Sequence, residues 1–152
     1  MTGTQLASES SLNQAMDAFW ETFPPFWHIL RAHIRKVSVE QFNIAVEQFH
    51  ILRHIRQGEG SVSELAEAKH ISRAAISQAV DVLVNKGLIT RTRSTQDRRQ
   101  VQLELTQQGN ALLEAIFDNT RQWMIHKLAP LSEAELQTLI RSMESLKKTL
   151  SV

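Results

Sequence analysis

At 152 residues the chain is sized for one domain and is long enough to bury most of its apolar side chains. With 42% hydrophobic and 22% charged residues it has the composition of a soluble globular protein, and the absence of cysteine excludes disulfides, thiolate metal sites and cysteine-based redox sensing. The net charge of +1 decides nothing about partners; no apolar run reaches membrane-spanning length and the N-terminus lacks the pattern of an export signal, so a cytoplasmic protein without membrane contact is expected.

Residues 1–10 are polar and expected to fray. Leu12, Ala15, Met16, Phe19 and Phe23 then recur at helical spacing, and after Pro24-Pro25 the stripe resumes with Phe26, Ile29, Leu30, His33 or Ile34, and Val37. Two prolines remove two donors and disfavour helix in the residue before them, so a kink, or a break and restart, is expected there. Trp20 and Trp27 fall on nearly the same side, where packing is the ordinary role of an aromatic and a ligand cage the special one. Ser38 to Asn43 reads as a connector, and Ile44 to Gln57 as a helix ended by Gly58, with Asn43 as its expected cap. His50 and His54 stand one turn apart, a spacing that suits a metal on one face; a third ligand would have to come from elsewhere, such as His28, His33 or a carboxylate, so a polar surface pair is the preferred reading and no metal is assigned.

Ser61-Val62-Ser63-Glu64 has the form of a capping box and opens a short helix with Leu65, Ala66 and Ala68 on its apolar side. Lys69-His70-Ile71 turns into a second helix, started by Ser72 as cap and stopped by Gly87 in the left-handed conformation. Ile76, Val80, Leu83 and Val84 share its buried face. The opposite face carries Arg73, Ala74, Ser77, Gln78 and Asp81, short for a solvent-facing helix and suited to the close approach of another surface. Two short helices joined this way suggest a helix-turn-helix, the motif whose second helix enters the DNA major groove.

Leu88 to Arg93 is β-prone, Gln100 to Leu105 alternates polar and apolar, and Ser94 to Arg99 forms a polar loop between them. The hairpin makes the unit a winged helix. From Lys69 to Arg99 seven basic residues face Asp81 and Asp97, a net of +5 that leaves about −4 for the rest of the chain. Such a window is the footprint of phosphate contact, with a solvated charged face as the bland alternative.

The remainder is helical. Thr106 caps a helix with Leu112, Leu113, Ile116, Phe117, Trp123, Met124 and Leu128, ended by Ala129-Pro130. Ser132 to Glu135 forms another capping box before Leu136, Leu139, Ile140, Met143, Leu146 and Leu150. These stripes exceed what a small winged-helix core can cover, so an intertwined helical homodimer is expected, presenting two recognition helices to a pseudo-palindromic site.

Glu64-Leu65-Ala66, Ile71 to Ser77, Val80 to Leu83, Lys86-Gly87-Leu88-Ile89, Asp97-Arg98-Arg99, Leu105-Thr106 and Gly109, in this order and spacing, resemble the MarR family of bacterial transcription regulators. Gln48 to Leu52 is similar to the helix that precedes the motif in that family, and the likeness is good from about Ile44 to Leu113. It implies a mainly α fold with a small β-hairpin wing: a winged helix-turn-helix over residues 44–105, with dimerisation helices from residues 1–37 and 106–152. Two positions depart from the pattern. His70 stands where the family often has Gly, and His tolerates the left-handed backbone. Gln78 stands where many relatives carry Arg; Gln suits adenine where Arg suits guanine.

The resemblance implies DNA contacts from Ser72, Arg73, Ala74, Ser77, Gln78, Arg91, Arg98 and Arg99, with Asp97 bracing Arg99 in the wing. It also implies a small aromatic or anionic effector between the dimerisation helices and the winged helix, where Trp20, Trp27, His28, Arg31 and Phe49 fall. The function expected is a dimeric, sequence-specific regulator of double-stranded DNA, acting as a ligand-responsive repressor. The alternative is a winged-helix module that binds protein and never DNA, against which the basic window and the short recognition face argue. No nucleophile motif, phosphate loop or paired-carboxylate site is present, so neither catalysis nor a cofactor is expected.

Overall fold

A computed structural model of the chain describes residues 8–93 and 101–150. Six helices and one hairpin follow in the order α1 (Glu9–Phe42), α2 (Val46–Arg56), α3 (Val62–Lys69), α4 (Arg73–Asn85), β1 (Ile89–Arg93), β2 (Val101–Leu105), α5 (Gln107–Leu128) and α6 (Glu133–Leu150). The fold is mainly helical with a two-stranded antiparallel wing, as expected.

The first helix corrects two expectations. It neither breaks at Pro24-Pro25 nor gives way to a connector at Ser38; its 34 residues, about 51 Å of helix, run to Phe42. The prolines deny a donor to the carbonyls of Trp20 and Glu21, but both residues are exposed, so water can serve those oxygens. Side chains one turn apart hold the helix across the gap: Phe19 stacks on Phe23 with ring centroids 5.0 Å apart, and Phe23 on Trp27 at 6.4 Å. The helix stops at Asn43, whose left-handed backbone (φ 50°) returns its N–H to the carbonyls of Ser38 and Val39. Asn43 therefore terminates α1 and does not cap α2. That cap position belongs to Ala45, which has no acceptor, and Gln48 Oε1 supplies only the returning half of the motif by accepting from Ala45 N–H at 3.2 Å.

The core lies between α2, α4, the hairpin and the start of α5. Phe49, Leu52, Leu65, Ile76, Val80, Leu83, Leu88, Ile89, Leu103, Leu113 and Ile116 are all within 2% of full burial, and Ile34 and Phe117 pack against them. Ile89 pairs with Leu105 and Arg91 with Leu103, so one face of the hairpin roots in this core. By contrast α6 has no buried residue, and Leu12, Met16, Trp20, Phe23 and Trp27 of α1 stay exposed.

Gly109 lets α5 approach the end of α4. A methyl group at this position would overlap the carbonyl oxygen of Leu88, a backbone atom that cannot step aside. Gly→Ala inside a helix ordinarily stabilises by about 1 kcal/mol; here Gly109→Ala should destabilise by about 1–3 kcal/mol, read as a lowered urea midpoint with an unchanged slope.

Candidate nucleic-acid interface

The helix expected to read DNA, α4, is fixed at both ends. At its start Ser72 Oγ accepts from Ala75 N–H at 3.2 Å. The preceding α3 carries the full capping box, Ser61 with Glu64, and ends on His70 in the left-handed conformation (φ 53°), the strain the departure from Gly asks it to bear. At the far end Gly87 (φ 71°) closes a Schellman turn, with Leu88 N–H on Leu83 O at 3.0 Å and Gly87 N–H on Val84 O at 2.9 Å. Thr106 then ties that turn to α5: its hydroxyl donates to Gly87 O at 2.7 Å while accepting from Gly109 N–H at 2.9 Å.

With Ile76, Val80 and Leu83 turned into the core, α4 presents Arg73, Ala74, Gln78 and Asp81 to solvent, and Ser77 half-exposed at the edge. The structure brings the five residues expected to read DNA from this helix, Ser72 included, to one open surface. Arg91 of β1 joins it, with its guanidinium engaged: Nη2 donates to Asp81 Oδ1 at 2.5 Å. Asp97, Arg98 and Arg99 lie outside the described residues. Sequence reasoning counted Lys86 in the basic window, but its ammonium is committed elsewhere, 2.6 Å from Asn43 O and 3.5 Å from Gln48 Oε1. It neutralises the carbonyl end of α1 and locks α4 to the α1–α2 corner.

The residues assigned to an effector are placed unevenly. Phe49 is a core residue, 1% exposed, with its ring 5.8 Å from that of Phe117. Trp20, Trp27, His28 and Arg31 are exposed along α1. Of the two histidines weighed as a metal pair, His54 Nδ1 lies 2.7 Å from Glu59 Oε2. Partial burial, and then the charges of Lys69, Arg53, Arg31 and His54, hold the His50 imidazole below the usual histidine range.

Residues 44–101 match the family model described as MarR family. The regulator YpoP of Bacillus subtilis, itself uncharacterised, is 33% identical over 102 residues, which cover 66% of this chain and 72% of that protein. The chain belongs to the MarR family. The repressor MdtR of Bacillus subtilis is 32% identical over 100 residues, 65% of this chain and 64% of its own. Among solved structures, the regulator Tm0710 of Thermotoga maritima shares the fold at 22% identity, with a TM-score of 0.79 over 89% of this chain and 95% of that one. MepR of Staphylococcus aureus, solved in complex with DNA, is 25% identical with a TM-score of 0.65 over 86% of this chain and 98% of that one. The chain is a DNA-binding transcription regulator of that family.

The depressed His50 sets a pH dependence. Its folded-state pKa lies below that of the unfolded chain, so on acidification the unfolded state takes up the proton first. The corresponding stability is complete above the unfolded value of about 6.5 and is lost as pH falls from there toward the folded value. Urea midpoints measured from about pH 7.5 to 5.5 should decline in the wild type, and His50→Gln should flatten that decline.

Proposed function

We propose that this protein is a homodimeric, sequence-specific repressor that sets one α4 into the major groove at each half of a pseudo-palindromic operator. The observation that carries this is the α4 face: a helix fixed at both ends whose exposed side is short and hydrogen-bonding, flanked by the basic β1. Ser72, Arg73 and Ala74 approach the phosphates and groove edge, Ser77 and Gln78 the bases, and Arg91, Arg98 and Arg99 the flanking backbone and minor groove, with Asp97 bracing Arg99.

Support for the dimer comes from the uncovered apolar faces of α1 and α6, where Trp20 is 64% and Leu150 62% exposed. Repression is the activity named for MdtR. A small aromatic or anionic effector would lie between the dimerisation helices and the winged helix, with Arg31 and His28 as polar partners and Trp20 and Trp27 as the aromatic wall. Phe49 would then act through the core behind it.

The test is duplex binding by the purified protein across a salt series. Sedimentation should give a dimer at micromolar concentration, and log affinity should fall linearly with log salt. Arg99→Ala removes one contact per protomer, so the slope should shrink by roughly 2 while the melting temperature holds. An unchanged slope with a lowered melting temperature assigns Arg99 to the wing alone. Gln78→Ala should cost about 1–3 kcal/mol and relax preference at one base pair of each half-site, read by repeating the site selection with the variant.

A further inference from the structure

An acid on a surface that must meet a polyanion requires a reason. Asp81 lies one turn beyond Ser77 and three residues beyond Gln78, so helical geometry puts its carboxylate among the groups proposed to read bases. Its partner Arg91 shares the strand face of Ile89, which is buried, and so leaves β1 on the side of the core, where its guanidinium meets Asp81 Oδ1 of α4 at 2.5 Å. Of the ion pairs among the described residues, this one alone joins α4 to the wing. The side chains are 55% and 39% exposed, and a pair so open contributes little to folding. Its cost on binding is definite, since a carboxylate repels phosphate in every register.

We propose that Asp81 is a specificity-determining residue that acts by positioning Arg91. This rests on the reading of α4 as the base-contacting helix. An untethered arginine would reach a phosphate almost anywhere along a duplex, rewarding any sequence alike. Held by Asp81, the guanidinium spends one of its five donors on the carboxylate and offers the others in a fixed direction. Its contact is then available only where the α4 side chains are also in register. The pair lowers affinity for wrong sites more than for the right one, which is the physical content of specificity.

The experiment compares full-length wild type, Asp81→Ala and Asp81→Asn on a duplex selected by the wild type and on a random duplex of equal length, at one salt concentration. Asp81→Ala should tighten the random duplex about threefold and weaken the selected one roughly tenfold, with the melting temperature unmoved. Asp81→Asn still offers Arg91 an oxygen and should keep most of the selected-site affinity. In an Arg91→Ala background, Asp81→Ala should lose no further discrimination, because the positioned group is gone. Parallel tightening on both duplexes would reduce Asp81 to a plain negative charge, and parallel weakening to a structural brace; either overturns the proposal. A wild type that binds neither duplex, or yields no selected sequence, overturns the DNA reading of α4 itself and this inference with it.

Discussion

At the C-terminal end of α4 the chain makes its most consequential turn. Gly87 takes a left-handed conformation, and the carbonyl it leaves outside the helix accepts the hydroxyl of Thr106 at 2.7 Å. The same hydroxyl caps α5, Gly109 gives α5 room against Leu88, and Lys86 reaches back to the carbonyl of Asn43. Four helices and the first strand are therefore indexed to one another within a few residues. The placement of α4 therefore comes from backbone carbonyls, among them Leu83 O, which accepts from Leu88 N–H at 3.0 Å between two buried leucine side chains.

The electrostatics of the exposed α4 face follow from that geometry. A window with a formal charge of +5 suggests a uniformly sticky surface, yet Lys86 is drawn away to the end of α1 and Arg91 is held by Asp81. Within α4 itself the one cation is Arg73, at the first turn, beside small and neutral side chains. A surface with fewer free charges and more directional donors favours discrimination over raw affinity.

The first helix distributes its apolar side chains differently. Along α1 the aromatic pairs Phe19–Phe23 and Phe23–Trp27 hold a helix that two prolines would otherwise interrupt, and they leave large apolar rings in solvent. Lower down, the His33 ring stacks on Trp123 of α5 with centroids 4.4 Å apart and its Nε2 lies 3.3 Å from Asn119 Oδ1, so the helix is anchored only over its second half. The anchored half packs on the core, and the first half keeps its large apolar side chains exposed.

Wherever a structural feature is fixed by neighbours in the chain, the sequence alone determined it. The caps at Ser61, Ser72, Thr106 and Ser132, the stop at Gly87, the left-handed His70 and the buried stripe of α4 are all set by hydrogen bonds or side-chain spacing within a few residues. The surface of α4 that faces outward followed from the same periodicity. Tertiary structure decided the rest. Proline chemistry is local and argued for a break, but stacking across the gap keeps α1 whole, and contacts with α5 carry it past Ser38 to Asn43. Phe49 resembled a pocket residue by its position and is instead part of the core, because α5 brings Phe117 over it. The pairing of Asp81 with Arg91 and of Lys86 with Asn43 joins residues 10 and 43 positions apart, and linear spacing carries no signal for a charge whose partner is supplied by another element.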